Sequence, residues 1–469
     1  MRCRSPTFRG SGWILLVRAE IVSPRGGDRG RESEPEGTSV KPLARHTLTV
    51  LLTAALLGAG VSSSGAAPVD APVADLGTSA KPVAAVADAA GAVFLLNEGD
   101  ATISKLSAAG ALTRVFARLT PACRPQGLAI DPKGALFVAC GGTDSVTRVS
   151  PSGAVIDYWA YDGRGSLPRG ITADSAGNVF VSNWGTSTIT KIAADGSVVP
   201  VFARLDPADR PLGLTTDAAG SVYVADTQTN RVTKISAIGA VREVFAQLPT
   251  GPGAPTGPVA VAVDPWGTLY TANGSSSSGG GTGGGDSGVG SVSSFAPDGS
   301  LREASVPLPP GAHRPTGFAM DPYGDLFVGD ELSHALTAID ASDGSVVSVA
   351  GFGGTAILRA VALSGTGVYA ADYVSGVVRR VELAPTLTAP PSDATLRRGV
   401  PVALDVAATG FGTRLVIAAG VLPPGLTLDP ARGRLGGTPT TAGTYPIDIV
   451  AANHWGATAP RHVVLMVVR

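Results

Sequence analysis

Charge is scarce in this chain. Charged residues make up 16% of it, aromatic residues 5%, and the net charge is -1. No Lys/Arg block or arginine-rich arm occurs, which speaks against nucleic acid as a partner. Cysteine (3) and histidine (5) are rare too. No metal-spaced Cys-x-x-Cys pair, HExxH pair or Walker-type loop is present, and the Gly-rich run Gly281 to Gly290 lacks the lysine of a phosphate loop. Long apolar runs are absent but for one of roughly 15 residues, short of the roughly 20 that span a bilayer. What is abundant is turn chemistry. The 469 residues include 62 Gly and 36 Pro, about a fifth of the chain, beside a hydrophobic fraction of 44%. That apolar share excludes a wholly disordered chain, and the punctuation argues for many short strands rather than helical bundles. The length calls for several domains or one large repeat array.

The apolar run, Thr47 to Val61, follows Lys41 and Arg45 and precedes Gly65, Ala66 and Ala67. This is the order of a secretory signal, placed at residues 41–67; an uncleaved anchor is the alternative. No cysteine follows the run, so a lipoprotein is not expected. Residues 1–40 are rich in Arg, Gly, Ser and Glu and read as a disordered prefix, with a translation start near Val40 as one reading. Beyond residue 67 stand 27 basic and 32 acidic residues, a net of -5 that suits an exported protein. The expected location is secreted or cell-envelope associated, with no span after signal cleavage.

A motif then recurs: a short apolar run, Asp, two residues, Gly, and an alternating apolar run. The aspartates are Asp88, Asp131, Asp174, Asp217, Asp264 and Asp321, with Ser364 in the seventh copy. The spacings are 43, 43, 43, 47, 57 and 43, and the 57 holds a Ser/Gly-rich tract from Ser275 to Gly288. Asp-x-x-Gly suits a tight hairpin whose Asp side chain caps the turn and whose Gly takes a left-handed conformation. Each unit reads as four short strands, the signature of a β-propeller blade. The seventh copy lacks a fourth strand, since composition changes at Ala384-Pro385. Residues 69–77 resemble a fourth strand and are expected to close the last blade. The fold class is therefore all-β: a seven-bladed β-propeller over residues 68–384, then a smaller domain.

Val222-Tyr223-Val224-Ala225-Asp226-Thr227-Gln228-Thr229-Asn230-Arg231-Val232 resembles the NHL repeat, and the resemblance covers about residues 69–384. It implies a superfamily of scaffolds, sensors, lyases and lactonases, and fold alone does not choose among them. Residues 385–469 break the period. Their Leu422-Pro423-Pro424-Gly425-Leu426 and Gly437-Thr438-Pro439-Thr440-Thr441-Ala442-Gly443-Thr444-Tyr445 strings resemble an Ig-like, cadherin-related domain of bacterial secreted proteins. That resemblance implies a β-sandwich acting as spacer or adhesion module. Some cadherin-like relatives bind calcium between domains, but Asp405, Asp429 and Asp448 are scattered.

Candidate chemistry is sparse. Pairing around the Asp131 turn sets Cys140 opposite about Pro125, near Cys123, and export favours oxidation, so a Cys123–Cys140 disulfide is expected; two buried thiols are the alternative. Second strands end in Asn97, Cys140, Asn183, Asp226, Asn273, Asp330 and Asp372, while Arg124, Arg169, Arg210, Arg314 and Arg359 stand where first strands begin. Both rows belong at one mouth of the ring. Either they bind an anionic or sugar-like ligand, or the Asp/Asn residues cap turns and the arginines pair with neighbours. Virginiamycin B lyase-like propellers use a histidine base and a bound magnesium; His313, beside Arg314, and Glu331 are the candidates for such elimination chemistry. Propeller lactonases hold a metal, and Asn183, Asp226, Asp330 and Asp372 could supply its oxygens. No resident cofactor is expected beyond such a calcium or magnesium ion. The leading expectation is a non-catalytic exported binding or scaffold protein with a protein or carbohydrate partner; the other is a propeller lyase or lactonase.

Overall fold

The computed structural model describes residues 72–469 apart from 162, 251–256, 275–289, 307, 309–313, 342–343, 366, 390–392 and 431–432. The prefix, the signal, the Ser275–Gly288 tract and His313 lie outside the described residues.

Seven four-stranded antiparallel sheets follow one another along the chain. Blade one comprises Pro82–Ala87, Val93–Asn97, Thr102–Leu106 and Leu112–Arg118, running from the axis outward. Blades two to six repeat this plan, with inner strands Pro125–Ile130, Pro168–Ala173, Pro211–Thr216, Pro258–Val263 and Pro315–Met320. The turn between first and second strands is set by its Asp. In blade two, Asp131 Oδ1 accepts from the Lys133 and Ala135 amides at 2.9 and 2.8 Å, and Gly134 supplies φ +80°. Asp88, Asp174, Asp217, Asp264 and Asp321 accept the same pair of bonds. Outside the turn, blades carry a repeated sandwich. Lys105 lies over Phe94 and Phe116, Lys191 over Phe180 and Phe202, and Lys234 over Tyr223 and Phe245, with centroid distances of 4.7–5.6 Å. Each such cation contributes roughly 0.5–1 kcal/mol at partly exposed positions.

Blade seven takes three strands from its own copy, Leu358–Ser364, Gly367–Asp372 and Val377–Glu382, and its outer strand from the start of the described chain, Pro72–Asp75. Ala74 and Asp75 pair with Val378 and Val377, and the Leu76 amide donates to the Gly376 carbonyl at 2.9 Å. The blade-seven inner strand packs against that of blade one, so the ring is closed.

The C-terminal domain is a sandwich. Ala394–Arg397, Arg461–Val468, Gly443–Asn453 and Arg414–Gly420 form one face, and Val402–Asp405, Arg434–Gly437 and Leu426–Asp429 the other. Period-two alternation sends Ile447, Ile449, Ala451, Val463, Leu465 and Val467 inward. This domain packs on the ring. Phe411 enters the core shared by blades six and seven, 5.8 Å from Phe327, and Asn453 Nδ2 donates to the Leu383 and Phe411 carbonyls.

Because the closing strand clasps both ends of the propeller, Leu76→Ala should cost about 2–5 kcal/mol, the usual range for a buried leucine truncation. A chain beginning at Gly77 should unfold at a lower temperature still. Calorimetry checks this; an unchanged transition would mean that the clasp is idle.

Candidate functional site

The inner strands build an axial channel. Their third residues are small: Ala84, Gly127, Gly170, Gly213, Ala260, Gly317 and Ala360. The reason is close approach. A Cβ on Gly170 would collide with the Leu212 carbonyl oxygen of the next blade, so only glycine lets the two backbones meet. Second and fourth residues of these strands line the channel. At the fourth position Ala85, Leu128, Ile171, Leu214, Val261, Phe318 and Val361 make an apolar collar. At the second, Gln126, Arg169, Thr316 and Arg359 make the mouth polar. The cavity encloses about 390 Å³.

The polar mouth is a network across blades. Arg359 Nε donates to Glu331 Oε1 at 2.7 Å, and Arg314 Nη1 lies 3.6 Å from Glu331 Oε2. Glu331 is 7% exposed, so two guanidinium groups hold a nearly buried carboxylate. Arg359 also stacks on Tyr373 at 4.6 Å, and the Tyr373 hydroxyl donates to Glu98 Oε2 at 3.4 Å. Burial, then the Glu98 charge, pushes the Tyr373 phenol above its ordinary range. Arg169 Nη1 donates to Gln126 Oε1 at 3.1 Å. Burial lowers its pKa while Glu98 opposes, but a guanidinium stays charged.

The sequence-expected rows divide differently from the expectation. Of the five arginines, Arg169, Arg314 and Arg359 line the channel. Arg210 instead stacks on Trp184 at 4.5 Å and donates to its carbonyl at 3.2 Å, while Arg124 is exposed in a left-handed turn. Asn183, Asp226, Asp330 and Asp372 do not face the channel; they are buried and hydrogen-bonded within their blades. Asn183 Nδ2 donates to Thr188 and Thr190, as Asn97 and Asn273 do to equivalent hydroxyls. Asp330 accepts from the Arg314, Leu332 and Ser333 amides, and Asp372 from Ile357, Val374 and Ser375. The row that reaches the mouth is one residue further on. Glu98, Trp184, Glu331 and Tyr373 belong to it, and of these only Glu331 was picked out from the sequence. The signal was available: they follow the repeated Asp/Asn, and a one-residue step turns a strand to its other face.

Cys123 and Cys140 form a disulfide, Cα atoms 4.4 Å apart, both fully buried. Blade four has the same string with aspartates, Asp206-Pro207-Ala208-Asp209-Arg210-Pro211. There Asp209 and Asp226 replace the two cysteines, and Arg231 joins them at 2.8 and 4.0 Å. Both carboxylates are fully buried. Burial, only partly offset by the Thr233 hydroxyl bond, pushes Asp226 up to about 8.

A family model described as "Virginiamycin B lyase family" matches residues 70–337. The chain belongs to the virginiamycin B lyase family. A second model, "Putative Ig domain", matches residues 384–468. Among solved structures, a streptogramin B lyase is similar at 16% identity and TM-score 0.55, over 66% of this chain and 97% of that one. The virginiamycin B lyase of Staphylococcus aureus is similar at 16% identity and TM-score 0.54, over 65% and 95%. At that identity these likenesses show the propeller fold. No curated protein matches the chain.

For this member of the virginiamycin B lyase family, the described residues do not fit the family's magnesium. No group of three or more His, Cys, Asp or Glu among them could hold a metal ion. The carboxylate best placed in the channel, Glu331, is already taken by two arginines. Nor does a described histidine line the channel: His334 Nδ1 contacts the Ala356 carbonyl at 2.6 Å, outside it.

Two outcomes follow from the paired positions. Cys123→Ser/Cys140→Ser opens a loop of sequence separation 17 and should cost about 3 kcal/mol by the loop-entropy rule, read by denaturant titration. Asp226 keeps a proton in the folded chain that the unfolded chain releases above its ordinary value of 3.8. Its contribution is therefore complete at low pH, fades as pH rises, and stops changing above about 8. Asp226→Asn should flatten stability against pH across that window; an identical slope would show that Asp226 is ionised throughout.

Proposed function

We propose that this protein is a non-catalytic binding propeller, acting outside the cytoplasm, whose axial channel takes a small amphipathic ligand with an anionic head. The observation that carries this reading is the pairing of an arginine mouth with an apolar collar in one 390 Å³ space. Arg169, Arg314 and Arg359 outnumber the lining carboxylates Glu98 and Glu331. Guanidinium forks suit carboxylate or phosphate oxygens, and the collar at Leu128, Ile171 and Leu214 suits an apolar body. An export-type leader and a buried disulfide support the location. Both oxygens of Glu331 are engaged by guanidinium groups, Oε1 by Arg359 and Oε2 by Arg314.

The second reading is a propeller lyase. Family membership favours it, and so does the histidine that precedes Arg314 in the sequence, His313. Two measurements separate the readings. Amphipathic carboxylates should raise the unfolding midpoint and add about 2.7 kcal/mol of stability at a hundredfold excess over Kd. Their uncharged amides should not, and Arg359→Ala or Arg169→Ala should abolish the effect. Virginiamycin B incubated with the protein and magnesium should stay intact. Ring opening that is lost in His313→Ala would replace the binding reading with the lyase one.

A further inference from the structure

The opposite end of the ring carries a feature that the repeat does not require. Ahead of its Gly, the Asp-x-x-Gly turn has Ala90, Lys133, Ala176 and Ala219 in blades one to four, but Trp266 in blade five and Tyr323 in blade six. Trp266 is 65% exposed, yet it is held in place. Its ring lies so close over Gly324, at φ +83°, that a Cβ there would collide with it. The C-terminal domain supplies the remaining rings. His454 lies 5.3 Å from Tyr323 at 39°, and Trp455 lies 5.8 Å away at 82°, so Tyr323 and Trp455 stand as two walls of a corner. Two carboxylates adjoin these rings, and Asp321 Oδ1 accepts from the Tyr323 amide at 2.8 Å. Asp325 Oδ2 is 3.6 Å from His454 Nδ1. Asp321 is 3% exposed, and its Oδ2 is buried without a hydrogen-bond partner.

We propose that this junction binds an organic cation of the alkylammonium class, held against Trp266, Tyr323 and Trp455, with Asp321 and Asp325 supplying counter-charge. Aromatic faces attract cations through their quadrupole, and pre-positioned rings lose little entropy on binding. The acidic groups separate this occupant from a purely apolar one. Burial, then repulsion from Asp321 and Asp340, raises Asp325 to about 7, a cost that a nearby cation relieves. A bare divalent ion fits less well, because the acidic oxygens make no metal-type cluster among the described residues. The site is independent of the channel, which opens at the other end of the inner strands.

The test titrates choline into the full chain in mildly alkaline buffer, read by tryptophan fluorescence and calorimetry. The control is choline's uncharged isostere, in which tert-butyl replaces trimethylammonium. Saturable choline binding is expected, with the isostere and Trp266→Ala each weaker by about tenfold. Asp325→Asn, which keeps an acceptor for the Ala341 amide, should also weaken choline while leaving the isostere unchanged. Equal binding of choline and isostere would make the corner an apolar docking face. Absent binding, or binding indifferent to Trp266→Ala, would overturn the site. If Asp325→Asn misfolds, Trp266→Ala, a change to an exposed ring, decides alone.

Discussion

Every second strand of the propeller is buried along its whole length. Both faces of each sheet must therefore be covered, and the only cover of the right shape is another sheet like it. A blade cannot pay the entropy of ordering by itself, because its oily faces would remain wet. Closing the circle is the one arrangement that leaves no face open. Circularity in turn dictates the rest. It draws the inner strands together until glycine or alanine is required at their third residues, and what remains at the axis is a narrow tube rather than a filled core. It also demands that the ends of the repeat meet, which is why blade seven borrows Pro72–Asp75.

One buried spot, between the start of a first strand and the end of a second, is solved by different chemistries in different blades. Blade two links it covalently through Cys123 and Cys140. Blade four uses two acids and an arginine. Blades one, three and five use an amide whose Nδ2 bonds two hydroxyls of the third strand. All answer one need, to fix the hairpin end beside the channel. That explains why Asp and Asn recur there without being ligands. The repetition reflects the repeated turn rather than a repeated function.

The same comparison shows what a linear reading captures. The turn aspartates, the blade period, the clasp and the sandwich pattern are local signals, and each is visible in the order of residues. The mouth was harder. Asp226 and Asp330 stand out because they repeat, whereas Glu98, Trp184 and Tyr373 vary from blade to blade and so escape notice. Arg169 and Arg124 look alike in sequence, yet Arg169 lies within its strand and lines the channel, whereas Arg124 stands before its strand and is exposed. The docking of the C-terminal domain left almost no trace. Phe411 is a single apolar residue in a Gly-rich turn, and its pocket is assembled from strands of two blades.

Charge distribution at the axis decides what such a wheel can do. A carboxylate that is to remove a proton must gain by accepting it, which calls for burial away from cations. Glu331 is buried but sits between Arg314 and Arg359, so both of its oxygens are already engaged by cations. The same pair, turned toward the tube, offers fixed positive charge over an apolar collar. Shared architecture with lyases therefore coexists with a mouth whose electrostatics suit holding an anion. Family membership fixes the wheel, and the arginines that flank Glu331 set the charge its mouth presents, which strand arrangement alone does not decide.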